Sequence, residues 1–437
     1  MSQITYSRPD FFDAVAALPQ EHVHIILIAT KPDIIKQIPL YKELKTRGHA
    51  VLLGHTGQHY DENLSGGMLK EFGVEPDFNL NVRGSMYEVV SRIIERFGFV
   101  VGEMKAKNKI VIPYVHGDTT TAMAASNAGY CHGFASVHVE AGIRTLTPNY
   151  KKGDMMDIGE WRKFLMQRKN WECGSQEPYP EQFNTRCSEA ATGVHLAPVE
   201  LDREFLVSEG YADDRIFVVG NSVVDALRLA PLAQGLRRPV FEKYPVLEDG
   251  DFVRFCIHRR ENCLSEKRFR AIYDAMKSLI ESGRTVLLIS MIQTNLAFER
   301  FGLKTEVEAL AKKHKNFILS PVWSEYGDVV AAMSKASVCA TDSGSMQEEM
   351  NALSVPCVTL RFGSDRSESA INGGNIIAPP VDAKMIQKTI EYAWNNQEMR
   401  SAKKIYGTGV SSKCIDAVES VLKTGNVFRS EEERLRM

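Results

Sequence analysis

The sequence predicts an α/β protein of two doubly wound, Rossmann-like domains. Three observations carry this. Short apolar runs recur along the chain with helix-period segments between them, the pattern of parallel strands covered on both faces. The runs fall into two series, each large enough for its own sheet. A stretch rich in Pro, Gly and charge, "LAQGLRRPVFEKYPVLEDGD" at 232–251, separates the two.

In the first series the runs are "HIILIAT" (24–30), "AVLLGH" (50–55), "IVIPYVHG" (110–117), "ASVHVE" (135–140), "VHLAP" (194–198) and "IFVVGN" (216–221). The second series is "FVRFCIH" (252–258), "TVLLISM" (285–291), "NFILS" (316–320), "ASVCATD" (336–342) and "PCVTLRF" (356–362). Segments such as "DIIKQIPLYKELKTRG" and "SMYEVVSRIIERFGFVVGEM" place apolar residues at helical spacing between them. The charged tail "FRSEEERLRM" is expected to fray or lie on the surface.

The chain has 437 residues, enough for two domains of ordinary size. Apolar residues make up 44% and charged residues 25%, the balance of a globular protein in water. A net charge of −2 gives no general attraction to nucleic acid or to an anionic membrane, so neither partner is expected. No apolar stretch approaches membrane-spanning length, and "MSQITYSRPDFF" lacks the basic-then-apolar pattern of a signal peptide. A cytoplasmic location is expected. The 8 cysteines are scattered without CxxC spacing, which argues against a zinc ribbon or a thioredoxin-type site.

The chemistry-bearing residues collect at the carboxyl ends of the strands, where ligands of doubly wound sheets bind. The first series ends in "TKPDIIK" (Thr30, Lys31, Lys36), "GHTGQHYDEN" (Gln58, His59, Asp61), "HGDTTT" (His116, Asp118) and "HVEAGIRT" (His138, Glu140, Arg144). "YPEQFN" adds Glu181. The second series ends in "IHRREN" (His258, Arg259, Arg260), "TDSGSMQEE" (341–349) and "RFGSDRSES" (Arg361, Arg366, Glu368). Singly, each has a plain structural reading: Asp118 and Glu140 as helix caps, His138 as a satisfied core histidine, Arg259 and Arg260 as a solvated edge. Together they divide into carboxylates in the first half and cations with a Gly/Ser helix start in the second. That division suits a nucleoside diphosphate held by the second domain, its sugar facing acids in the first, in a cleft between them. There is no GxGxxG after the first strand, no Walker A sequence and no HExxH.

These stretches carry a resemblance. "TKPDIIKQIPL", "TGQHYDENLS", "HGDTTTAMAA", "HVEAGIRT", "PEQFN", "RIFVVGNSVVDAL", "HRREN", "TDSGSMQEE" and "SDRSES" stand in the order of the UDP-N-acetylglucosamine 2-epimerase family, from about residue 24 to 395. The resemblance implies the two-domain GT-B architecture. It implies a first domain over 1–235 with an insertion at 145–178, a UDP-binding domain over 236–404, and a helix and tail at 405–437 packing back on the first. The family's catalytic acids fall on Asp118, Glu140 and Glu181, and its histidine on His258. Its phosphate-facing positions fall on Ser343 and Gly344, with Ser345 beside them, and its ribose acid on Glu349. Lys36 and Arg366 fall on basic positions used near the ligand, and Lys31 and Arg259 go with them. "TGQHYDENLS" resembles the non-hydrolysing branch, whose extra UDP-sugar site implies an allosteric role for Gln58 and His59. A homodimer, a UDP-sugar substrate and no cofactor or metal are also implied.

The chain departs from the family in places. Lys31 stands where Arg is usual, Ser345 replaces a second Gly, and "DRSE" replaces "ERPE". The insertion "TLTPNYKKGDMMDIGEWRKFLMQRKNWECGSQEPY" is much longer than the family's segment. It reads as a surface excursion or subunit contact, or as a lid or pocket wall for a modified sugar. The expected activity is interconversion of UDP-GlcNAc and UDP-ManNAc through a glycal. The alternatives are hydrolytic release of ManNAc and UDP, a modified UDP-sugar substrate, or a GT-B glycosyltransferase.

Overall fold

A computed structural model of the chain describes residues 3–57, 66–153, 157–175, 177–230, 238–425 and 427–428. Two compact units form. The first comprises Met1–Ile143, Tyr179–Leu229 and Gly407–Met437; the second comprises Arg144–Pro178 and Ala230–Tyr406.

The first unit is built on an eight-stranded sheet. Its strands are β1 (Thr5–Tyr6), β2 (His22–Ile28), β3 (Val51–His55), β4 (Phe78–Asn79), β5 (Ile110–His116), β6 (Ser136–Val139), β9 (Thr192–Ala197) and β10 (Ile216–Val218). They lie in the order β1-β4-β3-β2-β5-β6-β9-β10. Only β1 runs antiparallel to its neighbour. Crossover helices therefore cover the sheet, and Ile25, Ile26, Val111 and Val137 are wholly buried. The helix Lys31–Thr46 starts where Thr30 and Asp33 form a reciprocal capping box with Pro in the first turn. The last helix, Val410–Thr424, is tied to that helix's end: Arg47 donates to Asp416 at 2.7 Å and to Ser412 Oγ at 2.7 Å.

The second unit carries a six-stranded parallel sheet. Its strands are β11 (Phe252–Cys256), β12 (Thr285–Ser290), β13 (Phe317–Pro321), β14 (Val338–Thr341), β15 (Cys357–Thr359) and β16 (Asn375–Ile377), ordered β13-β12-β11-β14-β15-β16. A two-stranded antiparallel hairpin, β7 (Leu146–Pro148) with β8 (Trp171–Cys173), belongs to this unit. The insertion was expected in the N-terminal domain. Its contacts instead lie with the second unit, because its hairpin and helix bond to backbone groups after β15 and around β16.

Every one of the strand-like runs forms a strand. The short strands β1, β4, β7, β8 and β16 were not anticipated, since two or three residues give no period to read. Among the described residues no helix is long and apolar enough to cross a membrane. Gln58, His59 and Asp61, most of the junction's first residues and the tail from 429 lie outside the described residues.

Candidate active site

In the first unit the chemistry gathers at the carboxyl ends of β5 and β6. Glu140 follows β6 directly, is 2% exposed and takes φ +63°, a left-handed conformation uncommon for a residue with a side chain. Such outliers persist only where the surroundings over-determine them. Here they do. Lys36 from the helix Lys31–Thr46 forms a buried ion pair with Glu140 Oε1. Asn221, just past β10, donates to the same oxygen at 2.6 Å. His116 Nε2 lies 3.3 Å from Glu140 Oε2. On its other side, His116 Nδ1 bonds to Asp33 Oδ1 at 2.9 Å, and Asp33 Oδ2 accepts from the Thr30 backbone N–H and hydroxyl.

Asp33, His116, Glu140 and Lys36 thus form a buried quartet of alternating formal charge that sums to zero. Burial alone would lower the His116 pKa. The Glu140 and Asp33 carboxylates outweigh it and raise the pKa to about 9, so the ring is an imidazolium at neutral pH. Ser222 fixes the quartet further by donating to the Lys36 carbonyl at 2.6 Å.

The loop after β5 brings the next carboxylate to this cluster. Gly117 takes φ +60°, and a Cβ there would sit 3.4 Å from Glu140 Oε2. The Gly117 carbonyl is 2.7 Å from Nε2 of the buried His138, which anchors the loop from the core. Asp118 follows, half-buried. Its Oδ2 is buried and has no hydrogen-bond partner among the described residues. Asn184 donates to the Asp118 carbonyl at 3.1 Å. Asn184 lies on the helix Glu181–Glu189, so Glu181 stands at the start of that helix, one turn before the residue that holds the Asp118 loop. The loop thus carries Asp118, lies against Glu140 through Gly117, and is held by the helix that begins at Glu181. Lys31 is half-buried at the first position of its helix, and burial lowers its pKa.

In the second unit the corresponding ends of β11, β14 and β15 build a cationic cradle. Asp342, wholly buried after β14, organises it. Its carboxylate accepts from the backbone N–H groups of His258 at 3.0 Å and Arg259 at 3.1 Å, and from Asn262 Nδ2 at 3.0 Å. The His258 side chain keeps 30% exposure and its Nδ1 lies 3.6 Å from Asp342 Oδ1. Burial pushes its pKa below the ordinary value; Asp342 opposes this, while Arg259 and Arg361 reinforce it.

The helix Gly344–Leu353 begins after Ser343, whose N–H is held by Thr341 Oγ1 at 3.0 Å. A Cβ at Gly344 would lie 3.4 Å from Asp365 Oδ2, 3.6 Å from Arg259 Nη2 and 3.6 Å from Arg366 Cζ. Arginines from two loops therefore flank this helix start, with Ser345 half-buried beside them. Asp365 gathers them: Arg361 Nη1 at 2.6 Å, Arg366 Nη1 at 3.4 Å and Arg259 Nη2 at 3.9 Å. Burial would raise the Asp365 pKa, but these guanidiniums hold it well below the usual carboxylate range. Arg366 also pairs with Glu348. Arg259, Arg361 and Arg366 share Asp365 and Glu348, while the cradle's other buried carboxylate, Asp342, is taken up by N–H donors. With a helix N-terminus at its centre, this arrangement could receive an anion with several oxygens. Glu349 accepts from Tyr326 at 2.7 Å.

The pattern of UDP-N-acetylglucosamine 2-epimerase matches residues 42–156 and 172–419, most of the chain. This chain belongs to that family. A UDP-N-acetylglucosamine 2-epimerase of Methanocaldococcus jannaschii is 28% identical over 397 residues, 89% of this chain and 96% of the relative. One of Escherichia coli is 27% identical, over 91% of this chain and 98% of its own. A crystal structure of the Methanocaldococcus jannaschii enzyme in complex with UDP-GlcNAc and UDP matches with a TM-score of 0.76 at 25% identity, covering 92% of this chain and 99% of that one. The family pattern passes over residues 157–171, inside the insertion.

The structure brings Asp118, Glu140 and Lys36 together in the first unit, with Glu181 on the helix that holds the Asp118 loop. It brings His258, Arg259, Ser343, Gly344, Ser345 and Arg366 together in the second. Glu349 lies on the same helix, turned to Tyr326. The site reading from sequence did not single out Asp33, Asn221, Asp342 or Asp365. All stand at or just after strand ends, so the rule that found the others reaches them too. His116 was noted there but not given a role.

Proposed function

We propose that this chain interconverts UDP-GlcNAc and UDP-ManNAc without net hydrolysis. What supports the reading is that one unit carries an acid cluster at its strand ends and the other carries a cation-rich helix start, in a chain of this family. The C2–H of a UDP-sugar is not acidic, because no carbonyl is conjugated to C2. If the C1–O bond breaks first, its electron pair leaves with UDP and an oxocarbenium-like ion forms. Arg259, Arg361 and Arg366 and the helix start at Gly344 stabilise the charge that develops on the leaving UDP. His258 donates a hydrogen bond to the diphosphate.

The C2 proton, now acidic, passes to a carboxylate and C1=C2 forms, giving a glycal. Asp118 suits this transfer best, because its Oδ2 has no partner among the described residues. Protonation of C2 on the opposite face needs a second acid group, drawn from Glu140 and Glu181. UDP oxygen then adds back to C1. The sum of these steps is an isomerisation that consumes no water. Glu140, bonded by Lys36 and Asn221 and facing the His116 imidazolium, is fixed in place while it acts.

Incubation with UDP-GlcNAc in deuterated water, followed by proton NMR, tests the reading. UDP-ManNAc carrying deuterium at C2 is expected. Free ManNAc with UDP would assign the hydrolysing outcome. UDP-sugar binding without turnover would redirect the reading to a modified sugar.

A further inference from the structure

We infer that the insertion positions the arginine-bearing loop of the second unit, and that Tyr150 and Trp161 are positioning residues for diphosphate recognition. The inference rests on the reading that this loop holds UDP.

The loop that follows β15 carries Arg361 and Arg366, separated by Phe362, Gly363, Ser364 and Asp365. Three successive residues of it are held by the insertion. Tyr150 donates its hydroxyl hydrogen to the Phe362 carbonyl at 2.5 Å. Gly363 sits so close to Leu146 that a Cβ there would be 2.6 Å from the Leu146 carbonyl oxygen. Ser364 forms a two-way antiparallel bridge with Leu146, at 3.0 and 2.9 Å. Arg268 covers the Phe362 ring, 4.7 Å from its centroid, and is itself held by Glu177 at the end of the insertion, at 3.1 Å. Between the arginines the backbone is therefore held by Leu146 and Tyr150, at the near end of the insertion and within the family pattern, with the added helix packed behind Tyr150.

The helix Ile158–Leu165 braces this arrangement, and the family pattern passes over it. Trp161 stacks on Tyr150, with ring centroids 5.6 Å apart, and on Phe164 at 5.5 Å. Its indole N–H donates to the Ile377 carbonyl at 2.8 Å. The buried Arg162 guanidinium donates to the Gly373 carbonyl at 3.2 and 3.1 Å, and reaches Glu398 at 2.8 Å. The added helix is thus pinned to the backbone on the far side of Ser367–Ile371, the short helix that follows Arg366. Its one aromatic stack runs back to the tyrosine that holds Phe362. A surface excursion would need none of these bonds. An insertion that fixes the carbonyls between two ligand-facing arginines acts on where those arginines point.

Tyr150→Phe tests this with little threat to folding, because the ring stack is retained and only the bond to Phe362 is lost. Trp161→Phe, which removes the bond to Ile377 but keeps an aromatic ring, is the second variant. Affinities for UDP and for uridine are measured in parallel by NMR titration, with Tm as the control. The expected result is a fall in UDP affinity of about 3- to 10-fold in Tyr150→Phe with uridine affinity unchanged, the scale of one lost hydrogen bond. A lower Tm with an unchanged UDP-to-uridine ratio in both variants would overturn the inference and leave a purely structural role. Failure of the unmodified protein to bind UDP at all would overturn the functional reading on which the inference stands.

Discussion

The two units meet the same problem, polar groups at the ends of buried strands, with different partners. In the first unit Asp33, His116, Glu140 and Lys36 neutralise one another inside a buried quartet. In the second, three arginines crowd Asp365 and Glu348 beside a helix start, while Asp342 is occupied by N–H donors. A balanced cluster needs no ligand to be satisfied, so it can hold acids in fixed positions for proton transfer. A helix start ringed by guanidiniums offers donors that an anion can complete. On the proposed reading the first cluster serves proton transfer and the second serves UDP binding and departure, and each can be attacked alone.

The largest expected effect is on the balanced side. Glu140→Gln keeps the shape of the side chain but removes its charge and replaces one acceptor oxygen by a donor amide. Turnover should fall by about 10²- to 10⁴-fold, the usual contribution of an acid–base group, with UDP affinity nearly unchanged. Steady-state kinetics with UDP titration checks both. Next comes Arg259→Met. Its ion contact with Asp365 is loose, at 3.9 Å, so folding should tolerate the change. UDP affinity should fall by about 10- to 100-fold, as one or two charge-assisted hydrogen bonds are lost.

A third test uses pH. The His116 pKa is about 9 in the folded chain against an ordinary value of 6.5. Because the folded value is the higher, the stabilisation is complete below about pH 6.5 and is lost as pH rises towards 9. Denaturant midpoints should drop across that window, and His116→Gln should flatten the dependence. An unchanged slope in that variant would mean that His116 does not carry the extra proton. The smallest effect is expected from Ser345→Gly, which restores the residue usual in the family. Glycine is the poorer helix former by roughly 0.5 kcal/mol, so stability should drop by about that amount, with UDP affinity shifted less than about 3-fold.

The longer strands were legible because each is a run of apolar residues buried on both faces, a signal that needs no partner to be read. The position of the candidate acids was legible for a related reason: Asp118 and Glu140 stand where apolar runs stop. What escaped was supplied by residues distant in sequence. Nothing near Lys36 indicates that it pairs with Glu140, about a hundred positions on, rather than waiting for a ligand. Asp342 precedes the Ser343–Gly344 helix start in sequence, yet it serves as a buried acceptor for two backbone N–H groups of another strand end. The insertion's place in the second unit depends on Leu146, Tyr150, Trp161 and Arg162 finding carbonyls near β15 and β16, which no local pattern encodes.

The division between the units is tested most directly by measuring two quantities in the same two variants: UDP affinity, and deuterium exchange at C2 of UDP-GlcNAc. The account predicts that Glu140→Gln binds UDP normally and exchanges almost nothing, while Arg259→Met binds UDP weakly and still exchanges when substrate is raised. Lost UDP affinity in Glu140→Gln with normal affinity in Arg259→Met would contradict it.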